Sequence, residues 1–487
     1  MRIRLGLWLA ALFLLAFSSA AADGATRALL IGADQFVSLP PTAPAAEQNL
    51  IRMEQLLWNR WPGMTACRTV LNGPGSAEGL QTLLQEVFAG ADEKDTALLY
   101  CSTHGLRTRE GQAALLLSDG REEEPLTAEA LASLLAALPG RKVLILDACY
   151  SGGLIGKGED GGKNPFLGTD TLVLTSAGGR EESALWMDEG SGAGGSWFLA
   201  ALEAVVEGGA GPGDADGDGF FSLRELRESL RSLCGDSRAC SWPEDSAAPL
   251  FSVGEKNPDR PLSNLRFQSA REEGLSRPKT ELTFSAGAPF RLWYRLVYWK
   301  NGAWDFENAV QLPDRERSGG IRGSLEPGEK QRTIRLTTVD GEDSGFALLQ
   351  LMTVGEEGAA AAGSRRIALT GDREIQLRLT CGDAFSPEKG EELKATLEAD
   401  GPCAVTVTVE NEAGELLRTL CTEEPCLPLP GESGGAWLEL CWSGLMDDGR
   451  PAEPGSCRLH AVWEDALGAR EVFSPSFERT DDRAAGA

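Results

Sequence analysis

From residue 24 to residue 255 the chain alternates short apolar runs with helical periods, and this alternation confines it to a parallel β-sheet flanked by helices. The apolar runs lie at 28–31, 67–71, 97–101, 143–146 and 171–174. They are continuous in apolar character, which suits strands buried on both faces. Helical spacing recurs at 45–57, where Leu50, Met53 and Leu57 share a face, and at 78–89, 127–138, 196–207 and 222–233. Thr127 is placed to cap the third of these.

Past residue 256 the pattern changes. Residues 256–264 are polar and contain proline, as in a linker. β-type runs follow at 290–300, 331–338, 346–353 and 375–379 without convincing helices between them, and 355–364, rich in Gly, Ala and Glu, reads as a loop or insert. A second all-β stretch runs from 382 to 477, with alternation at 404–410, 437–442 and 458–463. The expected organisation is a leader over 1–22, an α/β domain over 23–255, a β-sandwich over 256–380, a second β-sandwich over 381–477 and a disordered tail over 478–487.

The leader follows from Arg2 and Arg4, the apolar run 5–17 and the small residues 18–22, the order of a secretory signal peptide with cleavage expected after Ala22. The run is too short to span a bilayer, and no later segment reads as a transmembrane helix. The expected location is therefore secreted, periplasmic or extracellular. Lys and Arg number 46 against 73 Asp and Glu, a net charge of −27 that disfavours nucleic acid as a partner. In an oxidising compartment thiols tend to pair, yet 11 cysteines is an odd number. Cys234/Cys240, Cys421/Cys426 and Cys441/Cys457 are candidate bridges, and the connectivity stays open.

With only 2 histidines, a His-based metal cluster is excluded, and any imidazole chemistry falls to His104 or His460. His460 lies in an alternating run and reads as structural. His104 follows the apolar run 97–101, and Cys149 follows 143–146. Ligands bind outside the carboxyl ends of strands in open α/β sheets, so neighbouring strands would bring imidazole and thiol to one cleft. A thiolate attacks a carbonyl, and an imidazole both generates it and protonates the leaving amine. Gly105 and Cys149 are then the expected backbone donors to the tetrahedral oxyanion.

A second pattern stands on spacing alone. Residues 214–225 carry acids at positions 1, 3, 5 and 12 of a calcium-loop template and Gly at position 6. Asp214, Asp216, Asp218 and Glu225 would supply carboxylates, Phe220 its carbonyl, and Ser222 a hydroxyl or a bridging water. The plainer alternative is an acidic turn that caps the helix at 222–233.

Ser102-Thr-His-Gly105 and Asp147-Ala-Cys-Tyr-Ser-Gly-Gly153 resemble the His-Gly and Asp-Ala-Cys-x-Ser-Gly motifs of caspase-like cysteine peptidases, the metacaspases and their bacterial relatives above all. Residues 27–32 resemble the family's first strand, Thr175-Ser-Ala177 the strand end after the nucleophile, and Gly195-Ser-Trp-Phe198 the next helix start. The resemblance implies a caspase-like three-layer α/β domain that hydrolyses peptide or protein substrates through a His104/Cys149 dyad, with no metal in the chemistry. It also implies Asp147 at the base of a pocket for Arg or Lys, with Ser102 and Ser176 at the substrate. Asn49 stands where metacaspases have a second pocket acid, and Thr103 replaces their Gly before the histidine; both are departures. A clostripain- or gingipain-like peptidase shares the dyad and differs in its pockets.

The loop 156–163, with Lys157 and Lys163, lies where caspase-like proteins are processed. The acidic loop resembles an Asp-Gly segment of bacterial caspase-like domains and implies a structural calcium ion. Residues 405–420, Trp442-Ser-Gly444 and 449–455 resemble the Ig-like domain of the flagellar hook-capping protein, implying surface or extracellular partners. The competing reading is an inactive caspase-like scaffold or adhesion protein that binds partners through its Ig-like domains.

Overall fold

The structure, a computed structural model, describes residues 24–481 apart from 158–163, 189–192, 208–212, 235–236, 255–262, 271–278, 286–289, 301–302, 305–309, 312–320, 324–328, 336–345, 356–359, 369–373, 428–435, 448–449 and 466–467. The leader, Lys163, most of the linker and the end of the tail lie outside the described residues.

The first half runs β1 (Thr26–Gly32), α1 (Ala45–Arg60), β2 (Met64–Leu71), α2 (Ala77–Val87) and β3 (Thr96–Ser102). Then come β4 (Gly105–Arg107), β5 (Ala113–Ser118), β6 (Glu123–Thr127), α3 (Ala128–Ala136), β7 (Arg141–Asp147) and β8 (Thr171–Thr175). It continues with β9 (Leu185–Asp188), β10 (Ala193–Ser196), α4 (Trp197–Val206), β11 (Phe220–Ser222), α5 (Leu223–Leu233), β12 (Cys240–Trp242) and β13 (Pro249–Ser252). Six strands form one sheet in the order β12-β8-β7-β3-β1-β2, parallel except for β12.

Both faces of this sheet are covered. Ala28 and Leu30 of β1, Leu98 and Tyr100 of β3, and Val143 and Ile145 of β7 join one core with α1, α4 and α5. The intervening Leu29, Ile31, Leu99, Leu144 and Leu146 join a second core with α2 and α3. Strand side chains alternate between faces, so two covered faces demand apolar residues at every position. The helices start where short hydroxyl side chains accept from the first turn: Ser76, Thr127, Ser196 and Ser222 are all N-caps, and Ser222 forms a full capping box with Glu225.

The β regions differ from expectation in three places. Residues Ala360–Ala368, which begin inside the stretch 355–364 read as a loop or insert, form a strand paired with Phe346–Gly355, which pairs in turn with Phe290–Lys300. Small residues at 360–363 fit a strand once its neighbour supplies the hydrogen bonds. Tyr298, Ala347 and Leu349 of this sheet join the core around α4, every residue of which is buried. Finally, Phe477–Arg479 forms a strand against Gly455–Asp465, so order continues into the expected tail because Phe477 is buried. The last β unit has two sheets, built on Leu393–Ala399 and on Ala404–Asn411, around one core.

Ion pairs tie this last unit to the α/β half. Lys157 Nζ lies 3.1 Å from Glu244 and 3.0 Å from Glu392, and Arg418 lies 2.7 Å from Asp245. Burial would raise the Glu244 carboxyl, but Lys157, Arg227 and Arg231 outweigh it and hold it down at about 2. Lys157 was expected in an exposed processing loop; it is instead largely buried between two carboxylates. Among the described residues no helix is long and apolar enough to cross a membrane.

Candidate active site

Strands β3 and β7 are parallel neighbours with Ser102 opposite Asp147, and Thr103 N donates to the Asp147 carbonyl at 3.3 Å. His104 and Cys149 therefore each lie two residues beyond a paired strand end. Gly105 fixes how closely the two segments approach. A Cβ on Gly105 would lie 1.7 Å from the Cys149 carbonyl oxygen, so only glycine fits there. Both His104 and Cys149 line a cleft of about 470 Å³ with Thr42, Ser102, Thr103, Asp147, Ser183 and Leu185.

The turn after Cys149 is tied down on every side. Tyr150 has φ of +58°, an uncommon conformation for a bulky residue, and opens a 3₁₀ turn at Ser151–Ile155. Its N–H donates to Glu181 O at 2.8 Å, and its hydroxyl donates to Glu182 at 2.8 Å. Burial and Glu182 push the Tyr150 phenol up. Ser151 Oγ accepts from Ala177 N at 3.2 Å. The Cys149 thiol donates to the Ser183 carbonyl at 3.7 Å, a weak contact that leaves the sulfur half-buried at the cleft.

His104 is positioned by a loop whose role the sequence does not announce. Its Nε2 lies 3.1 Å from the Pro40 carbonyl, and the Phe36 ring packs against it with centroids 4.4 Å apart. A carbonyl only accepts, so Nε2 carries the proton and Nδ1 of the neutral ring is the basic atom. The loop is anchored by Asp34, whose carboxylate accepts from Thr42 Oγ1, Ala46 N and Glu47 N, each at 2.9 Å. Asp34 thereby caps α1 from a distance, where Pro44 at the N-cap position offers no side-chain acceptor. The usable signal was a helix start without its own cap.

Beneath the cleft lies a buried polar cluster. Asp147, 5 % exposed, accepts from the Tyr100 hydroxyl at 3.0 Å and from the Ser196 hydroxyl. Burial and the Asp147 charge together push the Tyr100 phenol far up, so it stays a donor. Ser102 lines the cleft, as expected of a substrate contact, and its Oγ accepts from Asn49 Nδ2 at 3.0 Å. Asn49 and Ser176, expected at the substrate, lie behind the cleft wall instead. Asn49 Oδ1 accepts from Ser196 N at 3.0 Å, and Ser176 Oγ accepts from Ala148 N at 3.0 Å. Both are fully buried, because each spends its polar group holding backbone.

The acidic loop forms a compact turn. Asp214 accepts from Gly217 N at 2.7 Å and Gly219 N at 3.0 Å, and Asp218 accepts from Phe220 N at 2.8 Å. Oxygens of Asp214, Asp216 and Asp218 all lie within 4.8 Å of one another. Glu225 reaches back to Ala215 N at 2.7 Å and to the Ser222 hydroxyl at 2.8 Å. Partial burial and the charges of Glu225, Asp218 and Asp214 push the Asp216 carboxyl up. His460 sits in the last β unit between Glu410 at 2.8 Å and Glu471 at 2.9 Å, stacked on Phe473.

Residues 25–232 match the family model described as the caspase domain. No curated protein matches the chain. Among solved structures, a protein from Geobacter sulfurreducens is 14% identical, with 45% of this chain and 92% of that one covered, at a TM-score of 0.33. Caspase-1 from Spodoptera frugiperda is 17% identical over 49% of this chain and 93% of its own, at a TM-score of 0.32. Dimeric latent PorU from Porphyromonas gingivalis is 10% identical over 48% of this chain and 22% of its own, at a TM-score of 0.19.

Proposed function

We propose, from the match of residues 25–232 to the caspase-domain model, an exported cysteine endopeptidase that cleaves after Arg or Lys through a His104/Cys149 dyad. One observation carries the reading: two strand ends in register, with Gly105 backbone against Cys149 backbone. In the proposed reaction Nδ1 of His104 takes the Cys149 thiol proton, and the thiolate attacks the scissile carbonyl carbon. The Pro40 carbonyl holds the ring through Nε2 and so orients it, as the third group of a triad does. Gly105 and Cys149 N–H groups receive the oxyanion. The imidazolium protonates the leaving amine, and water then hydrolyses the thioester.

Asp147 is the proposed determinant for a cationic side chain, because it is a buried carboxylate that lines the cleft among Ala, Leu, Ser and Thr side chains beside the dyad. A panel of fluorogenic peptides differing only in the residue before the cleaved bond tests this. Arg and Lys substrates are expected to lead, and Asp147→Asn to lower their kcat/KM by about 10- to 100-fold while neutral substrates change little. Preference for Asp, or equal losses on all substrates, would overturn the specificity. Export is supported by the order of charge, apolar run and small residues over 1–22.

Calcium is proposed as a structural ion of the acidic loop, held by Asp214, Asp216 and Asp218 with the Phe220 carbonyl; Glu225 and Ser222, expected to join it, instead bind each other in the capping box of α5. The support is three carboxylates crowded around one point and the template order of the loop. Millimolar calcium is expected to raise the melting temperature by several degrees relative to chelator, and Asp214→Asn with Asp218→Asn to erase the difference. Identical melting curves with calcium and with chelator would remove the metal from the account.

A further inference from the structure

The cysteines of the last β unit are arranged differently from their order in sequence. Cys403 directly precedes the strand Ala404–Asn411, and Cys426 directly follows its partner Leu416–Pro425. Ala404 pairs with Pro425, and Cys426 N donates to the Cys403 carbonyl at 2.9 Å. The two cysteines thus face each other across the open end of a hairpin, both fully buried. Cys421, the expected partner of Cys426, is displaced by an irregularity: Glu423 adopts φ of +49° and the register shifts between Val405 and Val407. Cys421 consequently pairs with Val407 and gives its thiol to the Val405 carbonyl at 3.6 Å.

The same hairpin is the docking edge of the unit. Arg418 contacts Asp245 and Glu228, at 2.7 and 3.1 Å, and Glu424 meets Arg238 at 2.9 Å. The Pro425 carbonyl, next to Cys426, accepts from Arg238 at 3.2 Å.

We propose that Cys403 and Cys426 are joined by a disulfide that staples the hairpin through which the last β unit docks on the caspase domain. The chemistry is thiol–disulfide exchange with a disulfide oxidant such as oxidised glutathione. One cysteine thiolate attacks the oxidant, forming a mixed disulfide and releasing one glutathione thiol. The second thiolate attacks the protein sulfur and releases the other. Two protein thiols lose two protons and two electrons, and the oxidant is reduced to two thiols. The neighbouring Cys403 thiol and burial push the Cys426 thiol well up, so exchange takes place while the hairpin is still open during folding.

The test refolds the full chain in a glutathione buffer, alkylates residual thiols and maps peptides without reduction. Cleavage after Glu423 separates Cys421 from Cys426. The expected product is a linked pair of peptides holding Cys403 and Cys426. The oxidised protein is expected to melt higher than the reduced protein by about 5–10 °C, and Cys403→Ser with Cys426→Ser to remove that gap. Alkylation of both residues, or a link from Cys426 to Cys421 or any other cysteine, overturns the proposal. The mapping is done on the unaltered sequence, so it does not depend on whether the double variant folds or on the peptidase reading.

Discussion

Cys149→Ala is expected to lower kcat for peptide hydrolysis by about 10⁴-fold or more while KM and the melting temperature stay near their starting values. The sulfur is the atom that carries the acyl intermediate in the proposed reaction, so its loss removes a step and not merely a contact. Its structural contribution is small: it is half-buried, and its contact with the Ser183 carbonyl, at 3.7 Å, is a weak sulfur bond. The stability change should therefore remain within about 1 kcal/mol. Initial rates on Arg and Lys peptides, together with labelling by a thiol-directed alkylating agent, make the comparison. Undiminished turnover in Cys149→Ala would assign the chemistry to another group. A biological role that persists in this variant while turnover vanishes would favour the scaffold reading.

The strands were legible because burial on both faces leaves a one-dimensional signature. Leu98, Leu99 and Tyr100 must all be apolar or shielded, whichever way each points. Helix starts were legible for a similar local reason: Thr127 and Ser222 act within three residues of their own position. The positions of His104 and Cys149 followed from strand ends and crossover spacing, which are also short-range facts.

What escaped the sequence is held by partners distant along the chain. Asp34 caps α1 and aims the Pro40 carbonyl at His104, a relation among residues that no period or motif links. Asn49 and Ser176 look like pocket residues by position, yet Asn49 is spent on Ser102 and Ser196 and Ser176 on Ala148, which sequence spacing does not bring near. The antiparallel β4–β5–β6 sheet beside the cleft was missed because its strands are short and one is only three residues long. The residues 360–363 gave no strand signal because Ala and Gly are poor strand formers; their pairing with Phe346–Gly355 decides the matter.

Gly105→Ala is expected to damage the site as severely as loss of a reacting group, although it adds a single methyl. The new carbon would sit 1.7 Å from the Cys149 carbonyl oxygen, 2.6 Å from its carbon and 3.0 Å from its nitrogen. These are backbone atoms, and a rotamer change cannot relieve the overlap. The ends of β3 and β7 would have to separate by more than 1 Å, but Thr103 N on the Asp147 carbonyl and the Leu116 N–H on the His104 carbonyl resist that movement. Displacing imidazole from thiol by that distance is expected to lower kcat/KM by about 10²- to 10³-fold, and the overpacking to cost about 1–3 kcal/mol of stability. Gly382→Ala is the matched control, because no atom lies within 4 Å of the added carbon there, and it should leave activity untouched. Rates, melting curves and alkylation of Cys149 in the two variants separate a displaced nucleophile from an unfolded chain. A Gly105→Ala protein with full activity would mean that the two strand ends do not meet, and the catalytic assignment would go with them.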